Sequence, residues 1–97
     1  MFGEVGHGSQ VSNVRIMNSY ISGQKEVGGV CGCNYGTIIN CSNTGTVSGQ
    51  AYVGGVCGNN DYGTITNCSN AGTASGTSWQ VGGVCGYNYK KGTITNC

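Results

Sequence analysis

The hexapeptide VGGVCG occurs three times, beginning at Val27, Val53 and Val81, so the first interval is 26 residues and the second is 28. Each copy leads through a short polar segment into Gly-Thr-Ile-Ile-Asn or Gly-Thr-Ile-Thr-Asn, followed at once by a cysteine. Self-similarity at such a period marks stacked supersecondary units, each too small to bury its own apolar face. The chain divides into a degenerate N-terminal rung (1–26), a first repeat (27–52), a second (53–80) and a partial third (81–97), all in one continuous domain. In the degenerate rung, Val11-Ser12-Asn13 lines up with Ile38-Ile39-Asn40, and Ser22-Gly23 with Ser48-Gly49.

Length differences between units fall in two places. Three residues separate Gly32 from Gly36, four separate Gly58 from Gly63, and five separate Gly86 from Gly92. The second place follows Ser-Gly, where Gln50-Ala51-Tyr52 is answered by Thr77-Ser78-Trp79-Gln80. A varying residue count inside a fixed lattice predicts a loop at each place.

Composition narrows the architecture. Only 7% of the 97 residues are charged, where about 25% is ordinary, and there are 20 glycines and no proline. A chain this small and this poor in charge needs a regular backbone lattice, cross-links, or both. VGGV, GTIxN and GTVSG are short, β-prone and separated by Asn, Gly and Ser, and no stretch has helical periodicity. Three strands per 26–28 residues suit an all-β fold, a parallel β-solenoid (β-helix) of about three to four coils. An antiparallel meander or small barrel is the competing fold, but near-identical repeats favour stacking in register. The predicted inward columns are Val27/Val53/Val81, Val30/Val56/Val84, Ile38/Ile65/Ile94 and Val47/Ala74, and Asn40/Asn67/Asn96 is the expected amide ladder.

Seven cysteines point to an oxidising compartment, the alternative being reduced Cys used as a small buried hydrophobe. Six of them ride on the repeat as Cys31 and Cys41, Cys57 and Cys68, Cys85 and Cys97. The expected reading is one disulfide per coil within each pair, with pairing between adjacent coils and free buried thiols as alternatives. Cys33 is left over in the first variable segment, opposite Asn59 and Tyr87, and is expected to be exposed and open to intermolecular pairing.

Val27-Gly28-Gly29-Val30-Cys31-Gly32 with Asn34, Gly36, Ile38 and Asn40 resembles the GLUG motif, and so do Val53 to Asn67 and Val81 to Asn96. The resemblance covers residues 27–97 well and 1–26 weakly, in a cysteine-bearing variety of the repeat. It implies a stalk, spacer or adhesin-like module of a secreted or surface-exposed bacterial protein. It implies no catalytic residues.

The remaining chemistry is thin. Net charge is +1, which leaves no basic footprint for nucleic acid. No apolar run is long enough for a transmembrane helix. MFGEVGHGSQ lacks the pattern of a signal peptide, so a secreted protein would have lost its leader, or this is an interior piece of a longer chain. His7 is the single histidine and Asp61 the single aspartate, so no triad, metal site or cofactor is expected, and the chain reads as no enzyme. Aromatic residues gather in the variable segments: Tyr35, Tyr62, Tyr87 and Tyr89 in the first, Tyr52 and Trp79 in the second. A row of exposed rings would bind protein or glycan; otherwise each ring covers a coil edge. Asn40-Cys41-Ser42 and Asn67-Cys68-Ser69 match the Asn-x-Ser acceptor pattern, an accident if those side chains point inward or the source is bacterial. Thr64-x-Thr66 and Thr93-x-Thr95 resemble the ice-binding face of insect-type antifreeze solenoids, a face interrupted by Thr37-x-Ile39. The chain opens in a worn rung and stops mid-unit at Cys97, so head-to-tail assembly into a fibre, or continuation into a longer chain, is a further expectation.

Overall fold

Runs of two to ten β-prone residues broken by Gly and Asn build a chain that turns repeatedly and returns onto itself once per repeat. The computed structural model describes every residue except Met1, Asn18, Lys90, Lys91 and Asn96, and for Phe2, Ser78, Trp79 and Tyr89 it describes the backbone alone. The first coil holds β1 (Phe2–Val5), β2 (Gln10–Ser12), β3 (Arg15–Ile16), β4 (Tyr20–Ser22) and β5 (Lys25–Gly28). The second holds β6 (Cys31–Asn34), β7 (Thr37–Ile39), β8 (Ser42–Asn43) and β9 (Thr46–Gly54). The third holds β10 (Cys57–Asp61), β11 (Thr64–Thr66), β12 (Ser69–Asn70) and β13 (Thr73–Gly82), and β14 (Cys85–Tyr89) with β15 (Thr93–Thr95) begins a fourth. Every pairing is parallel and joins neighbouring coils, giving sheets of order β1-β6-β10-β14, β15-β11-β7-β2, β12-β8-β3 and β13-β9-β4, with β5 also on β9. The expected all-β parallel solenoid is therefore the fold of this chain. Among the described residues no helix is long and apolar enough to cross a membrane.

A coil has four faces where the sequence suggested three strands. VGGV is not one strand: Val27-Gly28 ends β5, Gly29-Val30 bends, and Cys31 opens the next strand. The extra face is the two-residue Ser42–Asn43 strand, which pairs Ser69–Asn70 above and Arg15–Ile16 below. Its length is too short for any alternation to show in sequence.

The second variable segment is not a loop, and the first is strand up to its asparagine and lengthens in the stretch that follows. Gln50-Ala51-Tyr52 lies inside β9 and Thr77 to Gln80 inside β13, where a bulge between Gly76 and Trp79 absorbs the additional residue. A bulge adds one residue to one strand without moving the flanking register, and Val81 still pairs Val53. In the first segment, β6, β10 and β14 run in register through Asn34, Asn60 and Asn88, so the added residues enter only after that asparagine.

The interior is made by the predicted apolar columns. Val30, Val56, Ile38, Ile65, Val47 and Val53 are fully buried, and Val27 nearly so. Burial alternates across Thr37–Ile39 and Thr64–Thr66, with isoleucine inside and its neighbours half-buried. Val84, Ile94 and Ala74 continue the columns half-buried, while Val81, paired with Val53 beneath it, is 41% exposed. The degenerate rung joins the same lattice: Val11 pairs Ile38, and Ser22 pairs Ser48.

Two corners repeat with left-handed backbone at ordinary residues. One holds Asn13, Asn40 and Asn67 (φ 59°, 56° and 54°); the other holds Glu26, Tyr52 and Gln80 (φ 54°, 54° and 59°). The second corner explains the last glycine of VGGVCG. A Cβ at Gly32, Gly58 or Gly86 would stand 2.5, 2.6 and 2.7 Å from the carbonyl oxygens of Glu26, Tyr52 and Gln80. Only glycine lets the corner pass this close.

Ile65→Ala is expected to cost about 2–5 kcal/mol, the range for emptying a closed core site, and Ile94→Ala less. Urea unfolding monitored by circular dichroism measures both; equal losses would contradict a core centred on the middle coils.

Candidate functional site

Register stacking puts like side chains over like, and the polar consequence is two amide ladders. Asn34 donates its Nδ2–H to Asn60 Oδ1 at 2.8 Å, and Asn60 donates to Asn88 Oδ1 at 2.9 Å. On another face Asn43 donates to Asn70 Oδ1 at 2.9 Å. Each asparagine also closes its own turn. Asn34 donates to Gly36 O at 3.3 Å, Asn60 to Gly63 O at 3.1 Å and Asn88 to Gly92 O at 3.2 Å. The same side chain thus spans a turn that lengthens by one residue per coil, which is how the insertions are tolerated. Both ladders end on apolar residues in the first coil, where Val5 lies beneath Asn34 and Ile16 beneath Asn43. No carbonyl is orphaned there, because Asn34 Oδ1 accepts Gly36 N–H at 3.0 Å and Asn43 Oδ1 accepts Gly45 N–H at 3.1 Å.

These are not the asparagines expected to form a ladder. Asn40 and Asn67 are exposed corner residues, and Asn96 lies outside the described residues. Asparagine suits the corner because it tolerates left-handed φ better than most side chains. Exposure of Asn40 and Asn67 also removes one of the two reasons for treating their Asn-x-Ser matches as accidental. The ladder positions did carry a signal, the Cys-Gly-x-Asn spacing shared by Asn34, Asn60 and Asn88.

The bonded pairs Cys31–Cys41, Cys57–Cys68 and Cys85–Cys97 do not appear: all seven cysteines are free thiols. The six repeat cysteines stand instead in two columns that run from coil to coil. Cys57 pairs Cys31 on one side and Cys85 on the other. Each thiol of this column donates to the carbonyl two residues ahead: Cys31 to Cys33 O at 2.8 Å, Cys57 to Asn59 O at 3.2 Å and Cys85 to Tyr87 O at 3.3 Å. In the other column the thiols of Cys41, Cys68 and Cys97 donate backwards, to Ile39 O, Thr66 O and Thr95 O, each at 3.3 Å. The two cysteines of a coil therefore engage separate carbonyls, one ahead in its own strand and one behind in the strand that precedes it. Contact with Cys57 lowers the Cys31 and Cys85 pKa values, while Cys57, between those two thiols and buried, is held well above the usual thiol range. Burial pushes Cys68 up to about 11.

Cys33 is not exposed. It is 6% accessible, in strand β6 between Glu4 and Asn59, and burial raises its pKa. The strand carries it through what looked like a loop, and the Tyr35 hydroxyl contact pushes that tyrosine to about 12.

The aromatic candidates do not form one exposed row. Tyr62 is exposed, whereas Tyr35, Tyr52 and Tyr87 are half-buried. Tyr52 and Tyr87 bring the two variable segments together, with ring centroids 5.2 Å apart and planes at 26°. Lys25 Nζ lies 5.5 Å from the Tyr52 centroid, within cation–π range. Tyr35 instead meets His7, at 5.3 Å between ring centroids. The side chains of Tyr89 and Trp79 lie outside the described residues.

On the sheet of order β15-β11-β7-β2, Thr93, Thr64, Thr37 and Gln10 form one column and Thr95, Thr66, Ile39 and Ser12 the next, so paired threonines face outward over two coils only. An open groove crosses the coils beside the Ser-Gly positions, lined by Gly23, Ser48, Gly49, Ser75 and Gly76. Among the described residues no group of three or more His, Cys, Asp or Glu is arranged to hold a metal ion.

The GLUG motif matches residues 23–48, 49–75 and 77–97, each unit beginning four residues ahead of Val27, Val53 and Val81. No curated protein and no solved structure matches the chain.

Asn60→Ala removes the partner of both Asn34 Nδ2 and Asn88 Oδ1 and is expected to cost about 1–3 kcal/mol; Asn67→Gly, at an exposed left-handed corner, should stay within about 0.5 kcal/mol. Thermal unfolding distinguishes them. The raised Cys68 pKa stabilises the fold in its protonated form, so this contribution is whole below about pH 9 and is lost as pH rises toward 11. Cys68→Ser should make the alkaline fall in stability shallower over that window, read from denaturant midpoints; an unchanged slope would contradict the assignment.

Proposed function

Since the chain belongs to the GLUG-motif family, we propose that it is a structural repeat module of a secreted or surface-exposed bacterial protein, serving as a stalk or adhesin-like spacer without catalysis. The observation that supports this reading is that turns as well as strands are hydrogen-bonded from coil to coil. Val30 N–H donates to Val56 O and Val56 N–H to Val84 O, each at 2.9 Å, and Thr64 N–H donates to Gly36 O at 2.8 Å. Such a stack grows by addition, each coil extending it by about 4.8 Å, and its ordered polar groups are engaged in that growth. A protein or glycan partner would meet the outer corner of Tyr52, Tyr87 and Lys25, or the Ser-Gly groove, since these are the outward features that differ from plain coil surface.

The test is surface accessibility. Antibody to the chain should label intact source cells, and mild external protease should abolish that signal. Labelling only after permeabilisation would overturn the surface reading. Negative-stain electron microscopy of the purified chain separates a spacer from a fibre subunit, because ordered filaments of repeating coils belong only to the latter.

A further inference from the structure

Three thiols stacked in register inside the buried cluster are more than a spacer needs. Alanine or valine would fill the same column without reactive sulfur. Cys31 and Cys57 are fully buried and Cys85 half-buried, packed with Val30, Val56 and Val84. Because each thiol donates to the carbonyl two residues ahead in its own coil, the three side chains hold the same orientation. Their sulfurs therefore repeat with the coils, at about 4.8 Å.

That spacing chooses between two fates for stacked thiols. A disulfide needs its sulfurs about 2.05 Å apart, so neighbouring sulfurs would have to leave their carbonyls and approach by more than half the coil spacing. A metal–thiolate bond is about 2.3 Å long, so an ion held linearly between two sulfurs spans about 4.6 Å, close to what the lattice already provides. We propose that the Cys31–Cys57–Cys85 column binds a soft, two-coordinate monovalent metal ion of the copper(I) class, held between Cys57 and one of its two stacked neighbours. Thiolate is the ligand such ions prefer. Each gap presents two sulfurs, and no cluster of three or more ligating side chains occurs among the described residues, which disfavours the tetrahedral zinc alternative.

The column holds one ion, between Cys57 and either Cys31 or Cys85, because filling both gaps would require a metal–sulfur–metal angle of about 180° at Cys57, which a pyramidal bridging thiolate does not adopt. Loading is ligand exchange: two thiols give up two protons to solvent, one ion takes their place between the sulfurs, and nothing is oxidised. The Cys41–Cys68–Cys97 column is less suited. There each sulfur also faces a carbonyl of the preceding coil, Val11 O at 3.9 Å, Ile38 O at 3.8 Å and Ile65 O at 3.9 Å, so hard oxygen intrudes where the ion would sit.

Silver(I) serves as a redox-inert probe. The reduced 97-residue chain is loaded in the presence of excess glutathione, so that single-thiol binding is competed away, and retained ions are counted by native mass spectrometry. The expected count is one for the wild type, none for Cys57→Ser, and one for each of Cys85→Ser and Cys68→Ser. Retention of the ion by Cys57→Ser, its loss in Cys68→Ser, uptake of zinc(II) in place of silver(I), or a two-dalton mass loss marking a disulfide would each overturn the proposal. If Cys57→Ser fails to fold by circular dichroism, the Cys31→Ser/Cys85→Ser double variant decides: loss of the ion supports the column, and its retention refutes it.

Discussion

Backbone hydrogen bonding between neighbouring coils is the interaction on which the rest of this structure depends. It is not confined to strands. Bends at Gly29-Val30 and turns before Thr37 and Thr64 are bonded to the coil above or below as well. The whole circumference is thereby locked in register, and a residue in one coil has no choice about which residue it meets in the next. Insertions survive only where the lock can be released locally. One such place is the bulge between Gly76 and Trp79; the other is the turn that an asparagine side chain closes whatever its length.

Register of this kind selects side chains by whether they tolerate their own copy about 4.8 Å away. Valine and isoleucine do, and they fill the interior. An asparagine amide carries donor and acceptor together, so each satisfies the next, as the Asn34–Asn60–Asn88 and Asn43–Asn70 ladders show. A thiol both donates and accepts weakly and stacks on itself as Cys31, Cys57 and Cys85 do. Like charges stacked at that distance repel, which accounts for a chain with only 7% charged residues. The scarcity of charge is thus a consequence of the architecture rather than a separate property.

The apolar columns were legible in the sequence because the repeat aligns them: Val30 over Val56 and Ile38 over Ile65 follow from counting. The asparagine ladders were legible in principle through Cys-Gly-x-Asn, yet Asn40 and Asn67 looked as suitable. Deciding between them takes the backbone, because Asn40 and Asn67 turn a left-handed corner and point to solvent. The second variable segment misled for a related reason. A residue count that changes suggests a loop, but β9 and β13 stay paired through the change because a bulge costs the sheet one residue of pairing and no more.

Period, composition and apolar alternation by themselves favoured a parallel solenoid over an antiparallel meander or small barrel, since near-identical units stack most readily in register. What they left open was which elements of a coil face one another. Cys31 and Cys41 recur together in sequence and look like partners, but the neighbour of each in the fold is its own counterpart one coil away. Sequence spacing measures distance along the chain. Only the closed coil converts it into distance through space, and that conversion turned expected pairs within a coil into columns between coils and covered Cys33 in a strand.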